Sequence, residues 1–252
     1  MALSSKLLIG KTAVITGCNR GIGRAILESY AANGADIFAC VRKESEEFSK
    51  LIQSLSNENL ISITPVYFDA RNLEELKNAV KQINNSKKTI DILVNNSGIG
   101  YNALFQMSAP DKLKEVFDVN FVAPFLFTQY LAKLMVRQKS GNIITISSTV
   151  ALDANEGKSV YGASKAALIC MTQVIAAELK TYGIRANSIA PGLTDTDMLA
   201  CLPKEFVEKV RNLPTENKIA KPSEIADTAL FLASDLSKHI TGQVIRVDGG
   251  VK

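Results

Sequence analysis

Short apolar runs alternate with longer amphipathic stretches along this chain of 252 residues. Runs such as residues 12–16 and 90–94 are apolar almost throughout, which is typical of strands buried on both faces of a parallel sheet. The intervening stretches repeat apolar residues at helical spacing. The predicted strands cover residues 12–16, 36–41, 60–68, 90–94, 142–147, 185–189 and 244–247, and the main predicted helices cover 22–32, 44–55, 73–83, 111–138 and 161–182.

This alternation predicts an α/β fold with one doubly wound parallel sheet. No linker rich in Gly, Ser or Pro and no internal repeat interrupts the chain. We therefore expect a single domain over residues 1–252. Residues 194–219 have an irregular pattern with a possible short helix at 204–211, and an insertion at this point is expected to cover the ligand crevice.

Composition excludes several classes of protein. Hydrophobic residues make up 46% and charged residues 21%, as in ordinary globular proteins with a sizeable core. The formal net charge is +4 and no run of five like charges occurs, so no nucleic-acid partner is predicted. The N-terminus lacks the long apolar core of a signal peptide, and no stretch approaches the roughly 18 apolar residues of a membrane span. We expect a cytoplasmic protein that does not associate with membranes.

Cysteine and histidine usage argues against metal and triad chemistry. Cys18, Cys40, Cys170 and Cys201 are widely spaced without a C-x-x-C pair, so reduced thiols are predicted rather than disulfides or a metal site. His239 is the one histidine in the sequence. A histidine-rich zinc site or a Ser-His-Asp triad is therefore not expected.

A glycine-rich loop directly follows the first predicted strand and opens a helix. Its pattern is G-x-x-x-G-x-G. Glycines allow a tight turn and close approach of the backbone, and a helix N-terminus attracts a pyrophosphate, so this context favours dinucleotide binding over a purely structural turn. The predicted cofactor contacts in this loop are Gly17, Asn19, Arg20, Gly21, Ile22 and Gly23.

Tyr161 and Lys165 lie four residues apart in a predicted helix and should share one face. An ammonium beside a phenol favours the phenolate, so we expect the pKa of Tyr161 to be lowered. A tyrosine tuned in this way can exchange a proton with a substrate oxygen near neutral pH. On its own, the same spacing also occurs by chance on solvated helix faces.

Several motifs in the same order resemble the short-chain dehydrogenase/reductase family. They are the loop preceded by Thr16, the Asn95-Asn96-Ser97-Gly98 segment, the Tyr161–Lys165 pair and the Pro191-Gly192 segment. The resemblance spans about residues 10–252. It implies a Rossmann-type domain that transfers hydride between a nicotinamide cofactor and an alcohol or ketone. Ser97 replaces the alanine that is usual in the family's second motif.

The resemblance also bears on the choice of cofactor. An NAD site places an acidic residue near the end of the second strand, and by the family's spacing Val41 occupies that position. Arg42 follows, and Arg20 lies in the loop. Two guanidinium groups suit a 2′-phosphate, so NADP(H) is the predicted cofactor, although both arginines could be ordinary surface charges.

Further cofactor contacts are implied by the resemblance. Asp69 would bind the adenine, although an aspartate here could equally cap the next helix. Asn96, Ser97 and Gly98 would lie against the ribose, or simply end a strand. The family's Pro-Gly segment meets the nicotinamide carboxamide, with Thr196 as the best match for its threonine and Thr194 as the second. The remaining predicted contacts are Ala70, Tyr161, Lys165, Pro191 and Gly192.

The family's catalytic set of Asn, Ser, Tyr and Lys has a match at every position. A spacing of thirteen residues to Tyr161 selects Ser148 over Ser147 as the serine that would bind the developing oxyanion. Tyr161 would be the general acid, and Lys165 would tune it and bind the nicotinamide ribose. Asn120 would bend its helix and hold a water in a proton relay, although a satisfied interior amide is the plainer interpretation. A serine-nucleophile mechanism lacks a nearby histidine and a G-x-S-x-G elbow.

Within the family, the chain most resembles bacterial reductases of 3-oxoacyl thioesters. Their substrate is borne by acyl carrier protein, which is acidic, and Arg137 and Lys139 would form a docking patch. Tyr182 stands at a second, normally basic position, with Lys180 nearby. A small-molecule substrate such as another ketone, sugar derivative or polyol remains an alternative, as does a non-catalytic NADP-binding regulatory protein. The matching C-terminal segment implies a homotetramer.

Overall fold

Seven parallel strands form one sheet in the computed structural model, which describes residues 6–200, 208 and 219–250. In chain order the strands are β1 (Thr12–Thr16), β2 (Asp36–Val41), β3 (Ile63–Tyr67), β4 (Ile92–Asn95), β5 (Gly141–Ile146), β6 (Ile184–Pro191) and β7 (Val244–Val247). The order across the sheet is β3-β2-β1-β4-β5-β6-β7, so strand addition reverses direction between β1 and β4. Ligands bind at such a reversal, outside the carboxyl ends of the strands. The predicted doubly wound sheet is confirmed.

Helices cover both faces of this sheet. They include α1 (Gly21–Ala32), α2 (Glu46–Asn59), α3 (Leu73–Asn85), α4 (Pro110–Phe117), α5 (Ala123–Gln138), α6 (Ser159–Leu179), α7 (Asp197–Ala200) and α8 (Pro222–Ala233). Successive residues of a strand point to opposite faces. Ile15 of β1 therefore packs with α1, α2 and α8, whereas Val14 packs in a second core with α3, α5 and α6. Every residue of β1 is buried, including the threonines at its two ends, which accounts for its almost entirely apolar pattern.

Three boundaries around α2 differ from the sequence prediction because local capping sets the ends of this helix. The helix predicted to begin at Glu44 begins at Glu46, since the Ser45 hydroxyl accepts a 3.2 Å hydrogen bond from the Phe48 amide. The helix then continues to Asn59 and ends where Leu60 takes a left-handed conformation with φ of 56°. The strand predicted from residue 60 consequently starts at Ile63.

The helix predicted over residues 111–138 is interrupted. A π-helical turn, Asp118–Val122, separates α4 from α5. One extra residue per turn of this kind is rare within α-helices and is frequent at functional sites. Asn120 lies in the turn and is completely buried. The local helix distortion implied by the family resemblance is therefore present.

The sequence analysis missed helix α8. Pro222 occupies its first turn, and the Glu224 side chain accepts a 2.6 Å hydrogen bond from the Lys221 amide, which caps the helix. The Tyr30 hydroxyl of α1 donates to the Ala229 carbonyl of α8 at 3.0 Å, within the core between the two helices. Residues 201–207 and 209–218 lie outside the described part of the chain, and they include Cys201 and nearly all of the predicted short helix at 204–211.

Two helical runs, Pro110–Gln138 and Ser159–Tyr182, are long and apolar enough to span a membrane by length and composition. The sequence analysis predicted helices over 111–138 and 161–182 and did not expect either to resemble a membrane span. Part of each run packs in the protein core, as shown by buried Phe127 and Leu131 in α5 and buried Leu168 in α6. Core helices of soluble proteins meet the same criterion, so the finding does not assign a membrane segment.

The cysteines in the described part of the chain are free thiols. Cys18 and Cys40 are buried, and Cys170 is exposed. Burial raises the pKa of Cys18 and of Cys40 well above the usual thiol value. Both buried thiols are therefore protonated at neutral pH and pack as small apolar groups.

Candidate active site

The loops that follow six strands meet at the carboxyl edge of the sheet. Because all strands are parallel, residues that come after them share this edge. The edge gathers residues predicted to bind the cofactor or substrate from distant parts of the chain, namely Gly17 after β1, Arg42 after β2, Asp69 after β3, Asn96 after β4, Ser148 after β5 and Gly192 after β6. The sheet thus brings the two halves of the predicted site together.

The glycine-rich loop has the geometry of a tight turn against the N-terminus of α1. Gly17 and Gly21 have φ values of 69° and 54°, a conformation that glycine adopts without the penalty of a side chain. A Cβ atom on Gly23 would overlap the carbonyl oxygen of Gly17 and the side-chain amide of Asn96. Asn19 and Arg20 are exposed, and Ile22 packs partly into the core below. This turn leaves room for a pyrophosphate at the helix end.

Thr16 and Asn96 hold the glycine turn in place. The Thr16 hydroxyl accepts hydrogen bonds from the backbone amides of Asn96 at 3.0 Å and Ser97 at 3.1 Å. The Asn96 side chain donates to the carbonyl oxygens of Thr16 at 2.9 Å and Gly17 at 3.1 Å. Asn96, predicted as a cofactor contact, therefore uses its side-chain donor to join the end of β4 to the loop after β1.

The two predicted phosphate-binding arginines are both exposed. Arg20 forms a 2.9 Å ion pair with Asp197 at the start of α7, and both side chains are 72% exposed. Arg42 directly follows β2 and contributes to the electrostatic field at Asp69. Neither guanidinium is buried in a structural contact, so both remain accessible to an anionic ligand.

Asp69 does not cap the following helix, so that alternative is wrong. The cap of α3 is Asn72, whose side-chain oxygen accepts from the amides of Glu74 and Glu75. Asp69 instead binds the guanidinium of Arg71, with contacts of 3.0 and 2.6 Å. Hydrogen bonding to Arg71 lowers the pKa of Asp69 to about 2, with a smaller contribution from Arg42. Ala70, also a predicted contact, is half-buried beside it.

The segment after β6 lies against the glycine turn. Pro191 is the last residue of β6, and the Gly192 amide donates to the Val247 carbonyl at 2.9 Å. Thr194 is buried, and its hydroxyl donates to the Gly192 carbonyl at 3.1 Å. The Thr196 methyl group would lie 3.1 Å from a Cβ on Gly21. Thr196 therefore lies beside Gly21 of the cofactor loop, and Thr194 is held against Gly192.

Ser148 and Tyr161 face each other across the end of β5. Tyr161 is 9% exposed and Ser148 is 8% exposed. The Ser148 hydroxyl accepts from the Val150 amide at 3.3 Å, which caps the turn after the strand. Burial raises the pKa of Tyr161, and a hydrogen bond with Ser148 partly opposes that rise.

Lys165 is buried behind Tyr161. Its ammonium donates a 2.9 Å hydrogen bond to the Ile146 carbonyl and lies 5.9 Å from the centroid of the Tyr161 ring. Burial lowers the pKa of Lys165 to about 8. The predicted lowering of the Tyr161 pKa is wrong for this arrangement, because removal of the phenol from water raises the pKa by more than the hydrogen bond with Ser148 lowers it.

Strand β5 and helix α6 are joined in both directions at this point. The Ser147 hydroxyl donates to the Lys165 carbonyl at 2.9 Å, while the Lys165 side chain donates to Ile146. Ser147 therefore has a structural role. The two bonds fix the lysine relative to the strand end that carries Ser148.

Asn120 is a fully satisfied interior amide within the π-helical turn. Its oxygen accepts from the Ile99 amide at 2.8 Å, and its nitrogen donates to the Ile99 carbonyl at 3.0 Å and the Ser164 hydroxyl at 3.1 Å. A Cβ on Gly98 would lie 3.3 Å from both the Asn120 side-chain oxygen and the Lys165 ammonium. The four residues of the predicted catalytic set thus converge on one region.

Several residues that build the site were not predicted. Ser164 links Asn120 to the Tyr161 carbonyl, to which its hydroxyl donates at 2.7 Å. Arg246 in β7 binds both carboxylate oxygens of Asp153 at 3.1 and 2.6 Å and also contacts Asp248 at 2.8 Å. Asp153 and Arg246 are 93 residues apart, so no local pattern could have paired them. Ser164 had a local signal, since it lies between Tyr161 and Lys165 on the helix.

Comparisons with known proteins agree with this geometry. A family model described as enoyl-(acyl carrier protein) reductase matches residues 17–252. The 3-oxoacyl-[acyl-carrier-protein] reductase FabG of Aquifex aeolicus is 36% identical, over 97% of this chain and 98% of that protein. A 3alpha-hydroxysteroid dehydrogenase of Mediterraneibacter gnavus is 32% identical, over 98% of each chain.

Solved structures of dehydrogenases and reductases also superpose closely on this chain. A Beutenbergia cavernae protein described as an NAD(P)-dependent gluconate 5-dehydrogenase, with bound NADP at low occupancy, superposes with a TM-score of 0.90 at 31% identity and 98% coverage of both chains. A Brucella melitensis 3-oxoacyl-[acyl-carrier protein] reductase with bound NAD superposes with a TM-score of 0.87 at 30% identity, covering 100% of this chain and 95% of that one.

The fold, the convergent side chains and these matches define the protein as an oxidoreductase. More narrowly, the chain belongs to the short-chain dehydrogenase/reductase family.

Proposed function

We propose that this protein is an NADPH-dependent reductase that converts a 3-oxoacyl thioester, carried on acyl carrier protein, to the 3-hydroxyacyl product. The observation that carries the proposal is the meeting of the Ser148 and Tyr161 hydroxyls in front of buried Lys165. The identity of about a third to FabG proteins over nearly the whole chain supports the substrate class.

The residues at the carboxyl edge of the sheet fit a dinucleotide. Gly23 packs directly against the Gly17 carbonyl and the Asn96 side chain, so the turn lies close to the N-terminus of α1, where backbone amides suit a pyrophosphate. Exposed Arg20 and Arg42 favour the 2′-phosphate of NADP(H), and the strand end at Val41 provides no carboxylate to repel it. Asp69, Ser97, Gly98 and Thr196 are the further proposed contacts to the adenine, ribose and nicotinamide portions.

Proton transfer is assigned to the side chains of this chain, and NADPH supplies the hydride when bound. Ser148 donates a hydrogen bond to the substrate carbonyl oxygen and stabilises the negative charge that develops there. Tyr161 gives its phenolic proton to that oxygen, which yields the alcohol. The raised pKa of Tyr161 keeps the phenol protonated before the reaction.

Lys165 and Asn120 support this proton transfer. Once the tyrosine has lost its proton, the nearby ammonium stabilises the phenolate. The Asn120 oxygen and the Lys165 ammonium border the same space above Gly98, which suits a water-mediated proton supply to the lysine. We assign Asn120 to this positioning role, because its amide already has protein partners on both sides.

A second candidate is reduction or oxidation of another small alcohol or ketone, such as a sugar derivative or polyol. It is favoured by the similarity to a steroid dehydrogenase and to gluconate dehydrogenases, at identities close to those of the FabG proteins. The catalytic side chains would have the same roles. Only the groups that contact the rest of the substrate would differ.

The basic patch proposed for carrier-protein docking lies at the opposite edge of the sheet. Lys139 precedes β5 and Ser148 follows it, so they are separated by a six-residue strand, or roughly 20 Å. Tyr182 is close to Lys139, because a Cβ on the intervening Gly183 would lie 2.7 Å from the Lys139 carbonyl. A carrier protein bound at this patch would therefore serve the site of a neighbouring subunit.

The proposal includes a neighbouring subunit that packs against α5 and α6. Three large apolar side chains are 41–47% exposed: Val122 in the turn between α4 and α5, Phe125 in α5 and Val174 in α6. Such exposure is unusual for large apolar side chains and suits a subunit interface. A homotetramer in the cytoplasm is the proposed state. Light scattering on the purified protein should give about four times the chain mass of 27.3 kDa.

The proposed function is tested by the initial rate of NADPH oxidation with an acetoacetyl thioester, offered on acyl carrier protein and on pantetheine. Faster turnover of the protein-borne thioester, lost in Lys139→Glu, would support the carrier-protein assignment. Tyr161→Phe should bind NADPH normally and lose most turnover. Turnover of polyols or sugar acids alone would favour the second candidate, and NADPH binding without any turnover would indicate a regulatory protein.

A further inference from the structure

A second lysine lies beside Tyr161. The ammonium of Lys158 is 5.8 Å from the centroid of the Tyr161 ring, compared with 5.9 Å for Lys165. Lys158, Tyr161 and Lys165 are spaced three and four residues apart, so they form one stripe along α6. At 1.5 Å per residue, the two lysines start about 10 Å apart along the helix and approach the tyrosine from opposite ends.

Lys165 lies at the inner end of this stripe, bonded to the strand. Lys158 lies at the outer end, where two loops meet. Its ammonium donates to the side-chain oxygen of Asn102, and the Ala103 amide donates to the Gly157 carbonyl at 3.0 Å. The loop after β4 and the loop before α6 therefore hold Lys158 on the side of Tyr161 opposite to Lys165.

Helix formation does not explain a lysine at this position. Lys158 is the N-cap residue of α6 and makes no side-chain capping bond. An ammonium has three donors and no acceptor, so it cannot satisfy the free amides of a helix N-terminus. The side chain is half-buried, and burial lowers its pKa, while no carboxylate in the described part of the chain offsets that effect.

We propose that Lys158 determines substrate specificity by binding a second acyl oxygen of the substrate, next to the carbonyl oxygen held by Ser148 and Tyr161. Asn102 occupies one of the three donors of the ammonium, which leaves two for a ligand. This inference rests on the proposed function. The substrate class is a 1,3-dicarbonyl compound, whose second oxygen belongs either to a thioester or to a free carboxylate.

The chemistry of such a substrate fits the position of Lys158. In a 3-oxoacyl compound, one carbon separates the reacting carbonyl from the acyl group, so both oxygens lie near Tyr161. A charge-assisted hydrogen bond to the acyl oxygen would select these compounds over plain ketones. Alternatively, Lys158 could affect Tyr161 only through its charge, in which case every substrate would respond equally.

The test compares kcat/KM for acetoacetyl pantetheine, acetoacetate and 2-pentanone, which has no second oxygen. Lys158→Met should lower kcat/KM for the preferred dicarbonyl by on the order of tenfold to a hundredfold, mainly through KM, and leave 2-pentanone unchanged. Lys158→Arg should retain most of the preference. The matched control is Lys133→Met, because exposed Lys133 lies 5.5 Å from the Tyr130 ring, a similar contact outside the site.

Two outcomes would overturn the inference: an equal loss on all three substrates with a shifted pH profile, or no loss on either dicarbonyl. The wild-type preference between thioester and carboxylate identifies the source of the second oxygen. If the wild type turns over none of the three compounds, the proposed function fails separately. Calorimetric binding of acetoacetate then decides: weaker binding by Lys158→Met supports the inference, and equal binding contradicts it.

Discussion

The side-chain amide of Asn96 donates to the carbonyl oxygen of Gly17 across 3.1 Å and so joins two adjacent strand ends at the cofactor loop. Gly23 packs beneath the same two groups with no room for a Cβ. The turn is therefore fixed by protein contacts. A pre-formed turn of this kind reduces the ordering that a ligand must impose.

Gly23→Ala should destabilise the protein and abolish dinucleotide binding, because its methyl group would overlap the Gly17 carbonyl. Overpacking of a tight site costs about 1–3 kcal/mol, and more where backbone must move. Thermal unfolding with and without NADPH measures both effects.

Gly10→Ala is the control for this prediction. Gly10 has a φ of 75° and its Cβ would meet no atom within 4 Å, so this variant reports only the strain of a left-handed backbone, whereas Gly23 has no left-handed φ and its substitution is steric alone. Equal destabilisation by the two substitutions, with cofactor binding retained in Gly23→Ala, would refute the steric account.

Burial of Lys165 should make stability depend on pH. Its pKa is about 8 in the folded protein, compared with 10.5 for a free side chain. Below pH 8 the lysine is protonated in both states and the cost of burying the ammonium is fully present. Between pH 8 and 10.5 the folded form loses its proton first, so the unfolded form binds more protons and stability rises with pH.

Lys165→Met isolates this effect from other titrating groups. The free energy of unfolding of the wild type, relative to that of the variant, should increase between about pH 8 and 10.5 and stay constant from pH 6 to 7.5. Urea unfolding at a series of pH values measures it. A difference that does not change with pH would show that the pKa of Lys165 is the same in the folded and unfolded states.

The ion pair of Arg246 with Asp153 should hold the turn after Ser148. Asp153 lies five residues beyond that serine, and Arg246 also contacts Asp248, whose Cβ packs close to Gly192. Arg246→Ala and Asp153→Asn should each lower kcat and leave NADPH affinity nearly unchanged.

A double-mutant cycle checks this contact. The Arg246–Asp153 ion pair is partly exposed. The coupling energy between the two substitutions, calculated from kcat, should therefore be about 1 kcal/mol or less. Strictly additive effects of the two substitutions on kcat would show that Arg246 acts through another residue.

Cofactor preference should depend on exposed charge. Arg42→Ala should weaken NADPH binding by roughly tenfold or more and leave NADH nearly unaffected, since a charge-assisted phosphate contact is worth about 1.5–3 kcal/mol. Asp197→Asn should have the opposite effect, because Asp197 pairs with Arg20 at 2.9 Å and competes with a phosphate for it. Fluorescence titration with both cofactors provides the comparison. Equal changes for NADPH and NADH would contradict the assignment of these charges.

Most of the sheet could be predicted because a strand buried on both faces has an uninterrupted apolar pattern. The run of Ala13, Val14 and Ile15 at the centre of β1 is a clear case, and the glycine turn after the strand could be recognised from local sequence alone. The boundaries of α2 were predicted less well, since they depend on a single hydroxyl cap at Ser45 and a left-handed Leu60.

Other features depend on contacts between distant residues. Helix α8 has 12 residues, as many as α1, and its apolar face is explained by its packing against α1. The direction of the Tyr161 pKa shift depends on how deeply the ring is buried, which the four-residue spacing to Lys165 does not reveal. The ion pairs of Arg20 and Arg246 join residues 177 and 93 positions apart.

The hydrogen bond between the Ala103 amide and the Gly157 carbonyl couples the loop after β4 to the loop before α6. In protein engineering, these two loops therefore have to be treated as one unit. Replacing only one of them with the loop of a relative would remove one partner of this hydrogen bond and the contact with Asn102 that positions Lys158. To change the substrate preference, both loops should therefore be replaced together. The cofactor loop and the strand ends should be left unchanged.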